Sequence, residues 1–155
     1  MKPPLLEARG LSKHYPVGNR RRRAMLHAVD EVDLVIGRGE CVGLVGESGC
    51  GKSTLVRLLA RLIDPTAGTI VLDGADTTAV SQSRFVGMPD RARIQVVFQD
   101  PTESLNPAFR VFKAIADPLL HLLGLRDRPK LAARVHRAAD LVGLPPELLT
   151  RYPHQ

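Results

Sequence analysis

The sequence predicts an α/β fold, and three observations carry that prediction. Short apolar, β-branched segments recur over roughly the first 100 residues. A glycine-rich loop joins one of them to a stretch with helical spacing. From Val111 onward the apolar period is that of helices throughout.

Leu5–Lys13 reads as a first strand, and Met25–Ile36, with apolar residues at Leu26, Ala28, Val29, Val32, Leu34 and Ile36, as a second. Gly37-Arg38-Gly39-Glu40 is a turn. Cys41-Val42-Gly43-Leu44-Val45 is short, apolar and β-branched, the pattern of a fully buried strand, and Cys41 is expected to pack in the core. Ser53–Leu62 has apolar residues at 55, 56, 58, 59 and 62 and is predicted helical, with Pro65 as its stop. Thr69–Leu72 is a further strand closed by the turn pair Asp73-Gly74. Ser81–Arg91 fits no single pattern. Ile94–Phe98 is predicted to be another buried strand, and Pro101–Pro107 a polar loop. Val111–Leu123, Pro129–Val142 and Pro146–Leu149 are predicted helices. Gly124 and Gly143 are their stops, and Pro129 holds a first position, where a missing N–H is harmless.

The chain has 155 residues, of which 44% are hydrophobic and 25% charged, which argues against disorder along its whole length. That length suits about one domain. No apolar run approaches the ~18 residues that span a bilayer, and no apolar core precedes a cleavage site near Met1. A soluble, cytosolic protein is expected. Two cysteines exclude a disulfide framework and a four-cysteine zinc site. His14, His27, His121, His136 and His154 are scattered along the chain and show no metal-ligand spacing, so surface or packing roles are expected.

Arg20-Arg21-Arg22-Arg23 carries four of the six net positive charges. It lies between Gly18-Asn19 and an apolar alternation, which reads as a loop tip between two strands. No aromatic residue is interleaved to stack on bases, so nucleic acid is not expected as a partner.

Gly46-Glu47-Ser48-Gly49-Cys50-Gly51-Lys52-Ser53 matches G-x-x-x-x-G-K-[ST], between a predicted strand and a predicted helix. Glycines let the backbone wrap a phosphate, and the loop N–H groups form an anion nest at a helix N-terminus. Lys52 can reach the β- and γ-phosphates, Ser53 can ligate Mg²⁺ and Thr54 can bond an α-phosphate oxygen. Cys50 contributes mainly its backbone. The motif indicates a nucleotide without naming a reaction.

Several further blocks resemble the ATP-binding subunits of ATP-binding-cassette transporters, and within them the dipeptide, oligopeptide and nickel importer group. Leu11-Ser12-Lys13-His14-Tyr15 resembles the strand ending in the aromatic that stacks on adenine. Gly46–Thr54 is similar to the phosphate loop, and Gly68-Thr69-Ile70-Val71-Leu72-Asp73-Gly74 to the strand and turn that follow it. Val96-Val97-Phe98-Gln99-Asp100-Pro101 resembles the glutamine loop, followed by Ser104-Leu105-Asn106-Pro107. Tyr152-Pro153-His154-Gln155 resembles the run ahead of the signature sequence.

The resemblance implies a P-loop NTPase core, RecA-like with a parallel sheet and an N-terminal antiparallel β subdomain, over residues 1–108. The start of an α-helical subdomain follows over 109–155. It implies ATP and Mg²⁺ as cofactors. Tyr15, Gly46, Glu47, Ser48, Gly49, Cys50, Gly51, Lys52, Ser53 and Thr54 would bind nucleotide, Ser53 and Gln99 would hold Mg²⁺, and Lys52 and Gln99 would serve catalysis. The partners implied are transmembrane permease subunits, a second ATP-binding subunit and, indirectly, a substrate-binding protein outside the membrane. The implied location is cytoplasmic, on the inner face of the cell membrane.

The signature sequence, the Walker B aspartate with its glutamate, the D-loop and the switch histidine are not found. Asp73 follows an apolar run, but Gly74 stands where a glutamate is wanted. The chain is therefore expected to be an N-terminal portion of such an ATPase, not competent for fast hydrolysis alone. The alternative is a catalytically inactive nucleotide-binding fragment or a regulatory P-loop protein. A GTPase would need Asn-Lys-x-Asp, which does not occur.

Overall fold

The computed structural model describes residues 3–19, 22–99 and 104–155. Among these the chain forms two compact units, Met1–Met88 and Pro89–Gln155.

The first unit is built on a long hairpin. β1 spans Leu6–Asn19 and β2 spans Arg22–Ile36, paired antiparallel from Leu6↔Ile36 to Asn19↔Arg22. The first strand therefore runs well past the predicted Lys13. Pro16 sits in it opposite Met25, on a stretch with no second neighbour among the described residues, because β3 pairs with β1 only as far as Ser12↔Ala67. A proline, which lacks an N–H, is tolerated on such an edge. Of the arginine run, Arg20 and Arg21 lie outside the described residues.

β3 (Ala67–Leu72) and the two-residue β4 (Ala75–Asp76) complete a sheet of order β2-β1-β3-β4, antiparallel at every pair. Asp73 and Gly74 join β3 to β4 with φ of 52° and 82°. Left-handed values at both central positions are what a tight hairpin requires and why Asp-Gly serves there. The Asp73 carboxylate pairs with Arg38 from the turn after β2.

Helix α1 (Lys52–Leu59) lays Leu55 and Leu58 on this sheet. They join Ala8, Leu11, Val29 and Ile70 in one core, with Val32, Leu34, Leu59 and Ile63 packed around it. The helix ends before the predicted Leu62 because Arg61 turns left-handed, at φ 54°. Arg61 is fully buried. Its Nη2 donates to Val80 O at 2.7 Å and pairs with Asp64 at 3.2 Å, and its guanidinium lies 5.6 Å from the buried Phe85 ring. Phe85 belongs to the short α2 (Gln82–Phe85), whose first N–H donates to Asp64.

The second unit contains a 3₁₀ turn at Pro89–Arg93, helices α3 (Val111–His121) and α4 (Arg128–Leu141), and a 3₁₀ turn at Pro146–Thr150. Asp127 caps α4 by accepting from the Lys130 N–H, and Pro129 occupies the second helical position, one later than predicted. Gly124 and Gly143 take φ of 62° and 69° just beyond α3 and α4, as helix stops do. Ala116, Leu131, Val135, Ala139 and Leu149 form this unit's own core.

Two predicted elements are not observed. Among the described residues Cys41–Val45 and Ile94–Phe98 carry no regular secondary structure and belong to no sheet, and no parallel strand pair occurs. Cys41 is exposed rather than packed, and Val45 and Val97 are 94% and 98% exposed. The reason is physical. A strand exists only when a neighbour accepts its N–H groups and donates to its carbonyls, and apolar composition supplies neither. No described helix is long and apolar enough to cross a membrane.

Candidate functional site

The glycine-rich loop follows Val45 and runs directly into α1. Gly49 and Gly51 take φ of 82° and 96°, which side chains other than glycine rarely adopt. Gly51 is also pressed against the hairpin: a methyl group there would come within 2.1 Å of the Ala28 carbonyl oxygen. The loop therefore docks on β2 at a position only glycine fits.

Gly51 is the N-cap of α1, with no side-chain cap, and the helix carries no acidic residue in its first turn. The first N–H groups of a helix have no intrahelical acceptor, and the helix dipole adds partial positive charge there. The Lys52 ammonium folds over the loop, donating to Gly46 O at 2.7 Å and Glu47 O at 2.5 Å, with Cys50 Sγ at 3.6 Å. Backbone donors and a cation thus converge on one short stretch of chain, a concentration of positive charge of the kind that suits an anion.

This loop forms one wall of a cavity of about 470 Å³. Ser48, Gly49, Cys50, Gly51, Lys52, Ser53 and Thr54 line it on one side, and Tyr15, Leu26, His27 and Ala28 of the hairpin on the other. Tyr15 lies opposite Leu26 in the ladder, with Lys13 Nζ 5.2 Å from its ring centre. The structure thus brings together Tyr15 and the loop residues from Ser48 to Thr54. Gly46 and Glu47 lie just upstream and hold Lys52 through their carbonyls. Gln99 is exposed and belongs to the second unit. Asp100 and Pro101 lie outside the described residues. At the far end, Tyr152 N–H donates to Gln155 Oε1 and Gln155 N–H returns to Tyr152 O, so Tyr152-Pro153-His154-Gln155 closes on itself.

Two histidines are not scattered. His14 and His27 face each other across the β1–β2 ladder, ring centres 4.0 Å apart, and both meet the Asp30 carboxylate. Linear spacing does not show this; placing the two strands in register does. Hydrogen bonds from His14 first and His27 second hold the Asp30 carboxyl below its usual range.

The fold is that of an ATP-binding cassette. It matches a solved dimeric ATP-binding cassette, in a post-hydrolysis state with ADP and Pi, at a TM-score of 0.81 over 97% of this chain and 62% of that one, with 22% identity. The ABC transporter family profile matches residues 29–154, and the chain belongs to that family. It is 42% identical over 152 residues to a putative peptide import ATP-binding protein of Brucella ovis, covering 98% of this chain and 46% of that protein. A probable peptide ABC transporter ATP-binding protein of Sinorhizobium fredii is 39% identical over 160 residues, covering 100% and 44%. The chain thus spans about half the length of these curated relatives.

Proposed function

We propose that this chain supplies the nucleotide-gripping part of the ATP-binding subunit of an ABC importer for peptides or nickel. The observation that carries it is the single cavity shared by Tyr15 and the Ser48–Thr54 loop. In this reading Tyr15 stacks on adenine, the Gly46–Gly51 backbone and Lys52 take the phosphates, and Thr54 bonds an α-phosphate oxygen. When bound, Mg²⁺ neutralises phosphate charge, and Ser53 and Gln99 are the residues that would hold it. Gln99 also relays the nucleotide state to transmembrane subunits, and a second cassette supplies the signature loop. Residues 1–108 act as the core and 109–155 as the start of the helical subdomain. Cys41–Val45 and Ile94–Phe98 are strands of the cassette's parallel sheet once neighbouring strands pair with them.

Hydrolysis needs carboxylates that place the metal and the attacking water. None of the described residues lining the cavity is an acid. In this reading the chain binds ATP without fast turnover alone, and a regulatory nucleotide-binding role is the second reading.

The test is ATP affinity by calorimetry. Losing a charge-assisted hydrogen bond of about 1.5–3 kcal/mol should weaken binding roughly 10- to 100-fold in Lys52→Ala. Tyr15→Ala should weaken ATP but not inorganic triphosphate. Unchanged ATP affinity in Lys52→Ala would sink the assignment.

A further inference from the structure

The His14, His27 and Asp30 cluster is not used by the nucleotide reading, and it sits on the same hairpin, with His27 lining the nucleotide cavity. Its assembly is a consequence of register. On β1, Lys13 and His14 are adjacent, but their partners Val29 and His27 are two apart, so β2 carries an extra residue at Ala28. A bulge of this kind shifts the alternation of side chains by one. His27 and Asp30, three positions apart, are thereby brought to the same face as His14, where a regular strand would place them on opposite faces. A second irregularity follows between Val29 and Val32. It is held by Glu31 at φ 48°, whose N–H donates to the buried Ser12 hydroxyl at 2.9 Å. The bulged Ala28 carbonyl is also the point on which Gly51 rests.

His14 Nε2 lies 3.1 Å from Asp30 Oδ1, and His27 Nδ1 lies 3.4 Å from Asp30 Oδ2. One ligand atom from each of the three residues lies within 4.8 Å of the other two. Ligand bonds of about 2.0–2.1 Å in a tetrahedral site put neighbouring donor atoms roughly 3.3 Å apart, so only a small rotation of the half-buried and exposed rings is needed. Two imidazoles and a carboxylate suit first-row divalent metals, whereas Mg²⁺ and Ca²⁺ prefer all-oxygen shells.

We propose that His14, His27 and Asp30 form a three-ligand site for a divalent transition metal of the zinc class, built into the bulged hairpin beside the nucleotide cavity. Ordinary hydrogen bonding would leave the same three groups binding protons only, and metal titration separates the two.

The probe is Co²⁺, followed by its visible absorption, in the full chain carrying Cys41→Ser and Cys50→Ser so that thiols do not compete. The expected result is one saturable equivalent, displaced by Zn²⁺. His14→Gln and His27→Gln should each lower the affinity at least about 10-fold. Far-UV circular dichroism should be unchanged, because neither ring is in the core. A second readout needs no variant: bound Zn²⁺, which is diamagnetic and perturbs only its own ligands, should shift the ring proton resonances of His14 and His27, leaving those of His121, His136 and His154 in place. No saturable binding, or equal affinity in the double variant His14→Gln/His27→Gln, overturns the proposal.

Discussion

β3 and Cys41–Val45 are nearly the same kind of peptide, short and rich in β-branched and aliphatic residues, yet they end in opposite states. β3 lies between β1 and β4 and sends Ile70 into the core against Leu55 and Leu58, with Ile70 wholly buried. Cys41–Val45 has no ladder partner among the described residues, and Val45 is almost wholly exposed. What separates them is not propensity but neighbours. β3 is the return of a chain already folded into a hairpin, whereas the second segment has no ladder on either side among the described residues.

The most direct way to break this comparison is a matched pair of truncations. Ile70→Ala removes a fully buried side chain and should destabilise the first unit by about 2–5 kcal/mol in urea denaturation. Val45→Ala removes apolar surface that is already in water and should stay within about 0.5 kcal/mol. A similar loss for both would mean that the 41–45 segment is packed in solution and that the contrast is unreal.

A smaller effect is expected at the point where β3 begins. Gly68 holds φ 86°, and a methyl group there would lie 2.3 Å from the Gly10 carbonyl oxygen and 2.6 Å from that of Arg9. Gly68→Ala should therefore cost about 1–3 kcal/mol through backbone strain and local separation of β1 from β3. Amide exchange should accelerate along Ala67–Leu72 while α3 and α4 stay protected. Faster exchange in both units alike would contradict a local effect.

Much of this arrangement is legible in the residues. The Asp-Gly turn, the glycine loop before α1 and the glycine stops at 124 and 143 are local devices, and local chemistry suffices to place them. What resists reading is non-local. β1 continues through Pro16 because an edge tolerates proline there, which requires knowing where β3 stops. Nothing in the residues marks Arg61 for burial, yet a left-handed backbone at that position accompanies a side chain turned inward to Val80 and Asp64. Of the site, the loop residues are plain from their motif. That Tyr15 shares their cavity follows from family order, whereas the meeting of His14, His27 and Asp30 depends on a bulge that no spacing rule displays.

The smallest effect concerns the outer edge of the well-paired region. Asp76, in β4, accepts from both the N–H and the hydroxyl of Thr78, and the side-chain bond from Thr78 is the main reason its carboxyl titrates below its usual value. A carboxyl with a depressed folded pKa binds protons less readily folded than unfolded. Its stabilisation is therefore complete above the unfolded value of about 3.9 and is lost as pH falls through the folded one. Asp76→Asn keeps an acceptor oxygen but not the titration. The melting temperature of wild type should exceed that of the variant slightly at pH 7, and the gap should close below about pH 4. A gap of equal size at pH 7 and pH 3 would place the contribution of Asp76 in shape rather than charge. The edge of β3 would then owe its order to the ladder alone.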